Sequence, residues 1–593
     1  MDASAIDELC DALSLLNRIQ NLAIPDAGLQ PSYVGTLQQL SSVLSDASSR
    51  VRTLLNTLPK INTLPPELLG NIFLHYVTES VRIEGMSNYN AFGVFNYASR
   101  RKAFRLTEVC HHWRTVTLAT TSLWCGVICG CDDLRPPEYH LHLSKGAPLH
   151  AIIKGDLEAA ENILATYPAR IQHLLMMDTT FWSRRYDPRR FLAHVTPDLL
   201  TCTLNLQSWP RGPRLPELRY NLFAPGGAER LRSLSVYTAK IIPNDHFPNL
   251  RVLNLYDIVG ISSFPHILSL IGRCPLVEEV CVHSDCMPEP STPDGRWDLV
   301  ELKHARKIAL LFPNSAWILA HLALPLNALV RVDDFILEEQ SKWSTLPAPL
   351  GPAAPNFTRL RIFPQESFIH DGIVGGLRVE LAAAMNAHAG YCLNANARST
   401  VPSLVRYKTL VDIFDRTDSR FAHITVLWAV RIPMTLSPIL SALPTIRVLG
   451  VVLNYGDTMI DLADTLRMRA DGDLVSPSLS ALYISNCQGC GKNLHSLRDT
   501  VVSRAQANHR IARVALRCAH TPNEDESTLA PHFAAIRQNV DEFTMIPRIW
   551  HSKSRSILPL EWREEWGRED DGVWPDWELF GGPRASVRRD FFK

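Results

Sequence analysis

The sequence predicts an α/β protein in which an all-α N-terminal part is followed by a longer, repetitive α/β part. Up to about residue 127, apolar residues recur at three- and four-residue steps, which is the period of an amphipathic helix. From about residue 228, short runs with strand-like spacing recur instead. The chain has 593 residues, of which 46% are apolar, so it can bury a sizeable core divided among two to four domains.

Residues 1–60 carry two helical stripes joined by a Pro- and Gly-containing turn at 25–31. The stripes predict an antiparallel helical hairpin, and half of a coiled-coil dimer is the alternative because the second stripe has nearly heptad spacing. The first stripe consists of Ile6, Leu9, Leu13, Leu16 and Ile19, and the second of Val34, Leu37, Leu44, Val51, Leu54 and Leu58.

Residues 61–128 contain three motif pieces in order. The first, Leu-Pro-Pro-Glu-Leu-Leu-Gly-Asn-Ile-Phe at 64–73, can open a helix because proline and an acidic residue both suit a first turn. Its apolar residues predict one apolar face, made of Leu68, Leu69, Ile72, Phe73 and Val77. The second piece predicts one helical stripe through Leu106, Val109, Cys110, Trp113 and Val116, and Leu123-Trp124 is the third. Two such short helices need a third element or a partner chain to cover their apolar faces.

The ordered set resembles an F-box, in the form found in the F-box-like proteins abundant in fungi. The resemblance implies docking on the adaptor subunit of a cullin-based, SCF-type ubiquitin ligase, while the rest of the chain holds a protein target. Carried over to this chain, Leu64 and Pro65 insert into the adaptor, and the first helix contributes Leu68, Leu69, Ile72 and Phe73. Val109, Cys110 and Trp113 then shape the core behind them, with Leu123 and Trp124 closing the motif. Residues 78–103 depart from the family as a polar insertion that can shield the docking face.

Residues 129–545 repeat the template apolar-x-x-apolar-x-apolar, and in five cases a proline precedes it by two places. The repeat resembles leucine-rich repeats, which implies an irregular α/β solenoid with a helix or irregular return between strands. The runs are Leu231/Leu234/Val236, Leu250/Leu253/Leu255, Val277/Val280/Val282, Ala305/Ile308/Leu310, Phe357/Leu360/Ile362, Phe421/Ile424/Val426, Ile446/Leu449/Val451, Leu479/Leu482/Ile484 and Ile511/Val514/Leu516.

At 46% apolar content the bare template is expected about fifty times by chance, so single matches carry little weight. The prediction depends on their near-regular spacing, on polar neighbours and on helix-like stretches at 264–272 and 436–443. It expects Leu253, Leu360, Leu449 and Leu482 to be fully buried and Asn254 and Arg361 to be exposed. Another kind of α/β substrate domain is the alternative.

Composition argues against several functional classes. Lys and Arg together number 60, as do Asp and Glu, and no basic cluster suggests nucleic-acid binding. No apolar run is long enough to span a membrane, and the acidic start does not resemble a secretory signal. Thirteen scattered cysteines fit a reducing compartment, so a cytoplasmic or nuclear chain is expected. Outside its complex the chain is expected to be a monomer.

The search for chemistry predicts no enzyme and no cofactor, because phosphate-binding, dinucleotide, zinc-protease and serine-hydrolase motifs are all missing. The strongest metal candidate is Cys487 and Cys490 with Cys518 and His520, but Cys-x-His is poorly spaced for zinc, so no metal is predicted. The alternating run His140-Leu141-His142-Leu143 predicts a strand whose histidines form a polar face.

Residues 546–593 form an acidic segment rich in tryptophan. It is interpreted as a cap over the last repeat or as a docking peptide for a partner, and the sequence favours the cap because exposed tryptophans are unfavourable in water. Its tryptophans are Trp562, Trp566, Trp574 and Trp577. The functional prediction is a non-catalytic substrate receptor, and the alternative is a non-ligase repeat scaffold that uses the F-box-like unit for other protein contacts.

Overall fold

The computed structural model of the chain describes a defined subset of its residues. These are 31–57, 59–79, 97–130, 137–154, 157–177, 192, 198–205, 221–237, 242–256, 264–284, 298–312, 315–333, 357–369, 372–382, 390–396, 422–430, 436–453, 459–468, 473–488, 490–519 and 526–545. The first predicted helical stripe, most of the insertion and the tryptophan-rich tail lie outside the described residues.

The described helices follow the predicted helical segments in the N-terminal part and lie between some of the strands thereafter. They are α1 (Pro31–Thr57), α2 (Pro66–Glu79), α3 (Tyr97–Val109), α4 (His111–Ala119), α5 (Pro137–Ser144), α6 (Leu157–Thr166), α7 (Phe264–Gly272), α8 (Ala316–Ala320), α9 (Ser437–Ala442), α10 (Met459–Leu466), α11 (Cys490–Gln506) and α12 (Glu526–Asn539). None of the helices in this described part is long and apolar enough to cross a membrane.

The strands belong almost entirely to one sheet. They are β1 (Gly126–Gly130), β2 (Leu149–Lys154), β3 (Ile171–Met177), β4 (Thr201–Asn205), β5 (Ser233–Tyr237), β6 (Val252–Tyr256), β7 (Glu279–His283), β8 (Val300–Glu301), β9 (Lys307–Leu311), β10 (Leu322–Ala323), β11 (Leu329–Asp333), β12 (Arg359–Ile369), β13 (Gly372–Ala382), β14 (Gly390–Asn396), β15 (Val426–Val430), β16 (Val448–Val452), β17 (Ala481–Gln488), β18 (Arg513–Ala519) and β19 (Glu542–Met545). Only β8 and β10 form a separate small parallel pair.

Two compact units result. The first comprises residues 1–76 and 101–120, and the second comprises residues 77–100 and 121–593. The first therefore contains α1, α4 and most of α2 and α3, and the second contains the sheet. Leu123 and Trp124, the third of the three motif pieces, fall in the second unit.

The sheet is parallel over most of its strands, and neighbours in space are neighbours in sequence. β1 through β7 pair in chain order and continue through β9 to β11, and β15 through β19 also pair in chain order. The chain is thus a mixed α/β protein with a parallel sheet, as the sequence predicts.

The middle of the sheet departs from the predicted parallel array. β12 pairs antiparallel with β13, and β13 pairs antiparallel with β14, before β11 and β15 continue the parallel order on either side. Only residues 370–371 separate β12 from β13, and so short a link can join only antiparallel strands.

One face of the sheet carries the core. Leu253, Leu360, Leu449 and Leu482 are all 0% exposed, which confirms the predicted inward positions. They belong to one continuous apolar cluster that also contains residues of α7, α9, α10 and α11, such as Ile267, Ile439, Leu462 and Leu497. We call this the core face; the alternate residues of each strand lie on the opposite face.

Two local predictions were wrong, and several strands were not predicted. His140 to Leu143 form part of helix α5 rather than a strand, because Pro137 opens a turn and His140, Leu141 and Ser144 are buried at helical spacing. The strand predicted through Phe421/Ile424/Val426 is displaced by three residues, since Ile424, Leu427 and Ala429 face the core and β15 begins at Val426. Strands β1 to β4, β8, β10, β11, β14 and β19 were not predicted at all.

Candidate protein-docking surfaces

Helix α2 divides its apolar residues into two rows. Leu69, Phe73 and Val77 are buried, with exposures of 0%, 1% and 1%, whereas Leu68, Ile72 and Tyr76 are exposed by 53%, 44% and 43%. Each row follows four-residue steps, so the rows lie side by side along the helix. Of the five residues of the predicted apolar face, three are therefore buried and two, Leu68 and Ile72, are exposed. We call Leu68, Ile72 and Tyr76 the exposed stripe.

The segment before α2 fixes where the stripe begins. A short 3-10 helix at Lys60–Thr63 ends as the Leu64 amide donates to the Ile61 carbonyl at 3.3 Å. The Leu69 amide then donates to the Pro65 carbonyl at 3.0 Å, closing the first turn of α2. Leu64 is half-buried and Pro65 is exposed, so the two predicted insertion residues adjoin the start of the exposed stripe.

Aromatic packing supports α2 from behind. The rings of Phe73 and Trp113 lie 4.8 Å apart between centroids, and the Trp113 indole Nε1 donates to the Asn62 Oδ1 at 2.5 Å. Gly70 lets Thr120 approach, since a Cβ built on Gly70 would lie 2.9 Å from the Thr120 Oγ1. These contacts tie the 3-10 helix, α2 and α4 together, so the stripe is held on a packed scaffold.

The predicted second motif helix is two helices. Cys110 adopts extended backbone, with φ −159° and ψ 171°, and its Sγ accepts a hydrogen bond from the Trp113 amide at 3.4 Å as the cap of α4. Val109 becomes the last residue of α3 and is 55% exposed, which corrects its assignment to the core. Cys110 is buried and Trp113 is half-buried, as that assignment requires.

The predicted adaptor-binding set therefore separates by exposure. Pro65, Leu68, Ile72 and Val109 can touch a partner directly, and Leu64 and Trp113 can do so in part. Leu69, Phe73, Cys110, Leu123 and Trp124 are buried and can only support a surface. Within the second unit, the Trp124 ring lies 6.2 Å from the ring of Tyr139 in an edge-to-face arrangement.

A cation lies at the far end of the exposed stripe. The Lys102 ammonium lies 4.4 Å from the centroid of the Tyr76 ring and donates to the Tyr76 backbone carbonyl at 3.1 Å. This contact places the start of α3 beside the end of α2. A partner of this surface therefore meets an apolar row that ends in a tyrosine ring and a positive charge.

The opposite face of the sheet carries a ladder of polar and aromatic residues that the sequence analysis missed. The imidazoles of His150 and His173, on β2 and β3, are stacked 4.2 Å apart, and the His173 Nδ1 lies 2.8 Å from the Thr201 Oγ1 on β4. Burial, and secondarily the charge of His173, lowers the pKa of His150 to about 3, and burial also lowers the pKa of His173. Both rings are therefore neutral near pH 7 and can offer hydrogen bonds without charge.

The ladder continues on β5 and β6. The Asn254 amide donates to the Ser235 hydroxyl at 3.1 Å, and the rings of Tyr237 and Tyr256 stack 4.6 Å apart. Asn254 is half-buried and Arg361 only 9% exposed, so the prediction that these neighbours are exposed was wrong. The sequence signal that could have predicted this ladder is the polar or aromatic residue that lies between the apolar positions of each template.

Cys487 and Cys490, two residues of the candidate metal site, lie in different elements. Cys487 lies in β17 opposite Cys518 of β18, and Cys490 begins α11, while His520 lies outside the described residues. Among the residues that the structure describes, no three His, Cys, Asp or Glu side chains are grouped to hold a metal ion.

Two other cysteines are buried thiols. Burial, opposed by the charge of Arg170, raises the pKa of Cys125 to about 11, and burial, opposed by the charge of Arg273, raises the pKa of Cys274 to about 12. Both therefore remain protonated thiols at neutral pH.

The geometry thus offers two surfaces suited to protein contacts: the exposed stripe of the first unit and the opposite face of the sheet in the second. No family model matches the chain, and a search of curated proteins finds no significant match.

Proposed function

We propose that this chain is the substrate-receptor subunit of a cullin-based, SCF-type ubiquitin ligase. Its exposed stripe binds the adaptor subunit, and its sheet holds a protein target. The chain catalyses no step itself, because its work is to bring the target close to a recruited conjugating enzyme. The observation that carries the proposal is the row of Leu68, Ile72 and Tyr76, which is left exposed within the segment that resembles an F-box.

A row of large apolar residues is unusual on a surface that stays in water. Single exposed leucines are common, but adjacent ones along a helix are typical of protein interfaces. Here the residues stand on a scaffold fixed by the Phe73–Trp113 contact and the Asn62–Trp113 hydrogen bond. A preorganised apolar row loses little conformational freedom on binding, which favours a stable complex.

The parallel sheet supports the second half of the proposal. Strands that pair in chain order, separated by helices such as α7, α9 and α10 on the core face, are the arrangement of leucine-rich repeats. We infer an irregular leucine-rich-repeat-like solenoid, with the β12–β14 antiparallel insertion as its irregular part. In such a solenoid, a target binds on the face opposite the helices.

Co-purification followed by mass spectrometry tests the proposal. Tagged full-length chain is compared with a Leu68→Ser, Ile72→Ser variant and with a Val43→Ser control, since Val43 is also exposed, by 64%, but lies on α1. Wild type and the control are expected to recover adaptor and cullin, and the stripe variant is expected to lose both.

A non-ligase scaffold gives a different result in the same experiment. If the stripe binds some other protein, its substitution removes that protein, and adaptor and cullin are missing from every sample, including wild type. That outcome refutes the ligase assignment while leaving the stripe as a docking surface.

A further inference from the structure

A groove of about 460 Å³ lies on the opposite face of the sheet, across β12 and β15 to β18. Its lining includes Arg359, Val426, Val448, Ala481 and Arg513, with Ser480 at the edge. The first five are successive register partners, one from each strand. The groove therefore follows a single row of residues across the sheet.

The floor of the groove is apolar and packed. Ala481 belongs to a buried cluster with Trp428, Tyr483 and others on this face, and Val426 and Val448 pack against that cluster. An apolar floor of this kind favours apolar side chains of a ligand.

Arg359 closes one end of the floor and is chemically unusual. It is half-buried, burial lowers the pKa of its guanidinium, and among the described residues it has no ion-pair or hydrogen-bond partner. Removing a cation from water without a partner is unfavourable, and a bound carboxylate would offset that cost with two parallel hydrogen bonds.

Arg513 closes the other end but already has a partner. Its Nε lies 3.3 Å from a carboxylate oxygen of Glu542, on the next strand. The positive charge available to a ligand is therefore concentrated at Arg359. Neighbouring strands are about 4.8 Å apart, so the two arginine Cα atoms stand roughly 19 Å apart, the length of about six extended residues.

We propose that this groove binds a short extended peptide segment of a target protein, with an acidic side chain on Arg359 and apolar side chains on the Val426–Ala481 floor. The inference rests on the proposed function only in treating the ligand as part of a target. Peptide binding is measured without the adaptor, so failure here and failure of adaptor docking are separate results.

The test is an array of hexapeptides, acetylated and amidated at their ends, incubated with the full-length chain. Each contains leucine and alanine with one glutamate, and each has a partner in which glutamine replaces the glutamate. We expect the chain to bind the glutamate peptides in which the glutamate lies near one end. It should bind the matched glutamine peptides at least tenfold more weakly.

Variants assign the charge to its residue. Arg359→Gln should lose at least tenfold in affinity for the glutamate peptides, and Arg359→Lys should recover part of it, since lysine keeps the charge but not the planar pair of donors. Arg306→Gln is the matched control, because Arg306 immediately precedes strand β9 and its side chain is 74% exposed. Circular dichroism checks that each variant is folded.

Three outcomes would overturn the proposal. They are equal binding of glutamate and glutamine peptides, no binding of either by wild type, or wild-type affinity in folded Arg359→Gln. If Arg359→Gln fails to fold, Arg359→Lys decides. A lysine variant that matches wild type in its affinity for glutamate peptides and in its preference for them over glutamine peptides would show that planar recognition by Arg359 is not used.

Discussion

Substituting Gly450 tests the register between β15 and β16. Gly450 is the register partner of Trp428, whose side chain is 0% exposed. A Cβ built on Gly450 would lie 1.9 Å from the Trp428 Cε3 and 2.0 Å from its Cζ3. Gly450→Ala therefore requires the indole ring to move by more than an ångström inside a packed cluster.

The expected cost is about 2–3 kcal/mol of unfolding free energy. Overpacking a core costs about 1–3 kcal/mol, and this contact is at the severe end because the atoms would nearly coincide. Replacing glycine within a strand restores about 0.5–1 kcal/mol through the unfolded chain, which offsets only part of the cost. Urea denaturation followed by circular dichroism measures the difference.

Gly272→Ala is the matched control in the same unit, because its new Cβ would meet only Val300 at an ordinary 3.7 Å. A Trp428→Leu background should make Gly450→Ala nearly neutral, since the smaller side chain vacates the space. If Gly450→Ala is as stable as Gly272→Ala, the close approach of Gly450 and Trp428, and with it the pairing of β15 and β16, is refuted.

Three further predictions concern the second unit. The pKa of His150 is about 3 in the fold against 6.5 unfolded, so its neutral form contributes fully to folding stability above pH 6.5, and that contribution is lost as pH falls toward 3. His150→Gln should therefore lose about 2 kcal/mol less stability than wild type between pH 6.5 and 4.5, and an equal loss of unfolding free energy in both proteins would contradict this. Leu449→Ala should cost about 2–5 kcal/mol, while Leu326→Ala, 66% exposed, should cost little, and equal melting temperatures would exclude an inward Leu449. Asn254→Ala should cost about 1 kcal/mol and show non-additivity with Ser235→Ala in denaturation, whereas strictly additive effects would dismiss their hydrogen bond.

The inward leucines could be predicted because strand geometry alone determines them. Alternate residues of a strand face one side, so a template anchored on Leu253 or Leu482 identifies the core without knowledge of neighbours. The same template fits both Phe421/Ile424/Val426 and Ile424/Leu427/Ala429, and pairing with β12 and β16 selects the second. Strand β4 escaped notice because its inward positions include Cys202, a weaker apolar signal than leucine.

The docking surface was only partly predictable. Periodicity identifies α2 as amphipathic but cannot divide its wide apolar arc into the buried Leu69 row and the exposed Leu68 row, because that division depends on Trp113 from another helix. Cysteine is not among the usual helix caps, so nothing in the sequence marked the break at Cys110. The groove at Arg359 depends on residues from five strands, which only the register brings together.

The central claim is that the exposed stripe binds the ligase adaptor. The most direct measurement is the affinity of purified adaptor for the full-length chain by isothermal titration calorimetry, compared among wild type, Leu68→Ala with Ile72→Ala, and Val43→Ala. Truncating two central apolar contacts should weaken binding by about 2–4 kcal/mol, roughly thirty- to a thousandfold, while the control matches wild type. Failure of wild type to bind the adaptor, or equal affinity of the stripe variant, would contradict the account.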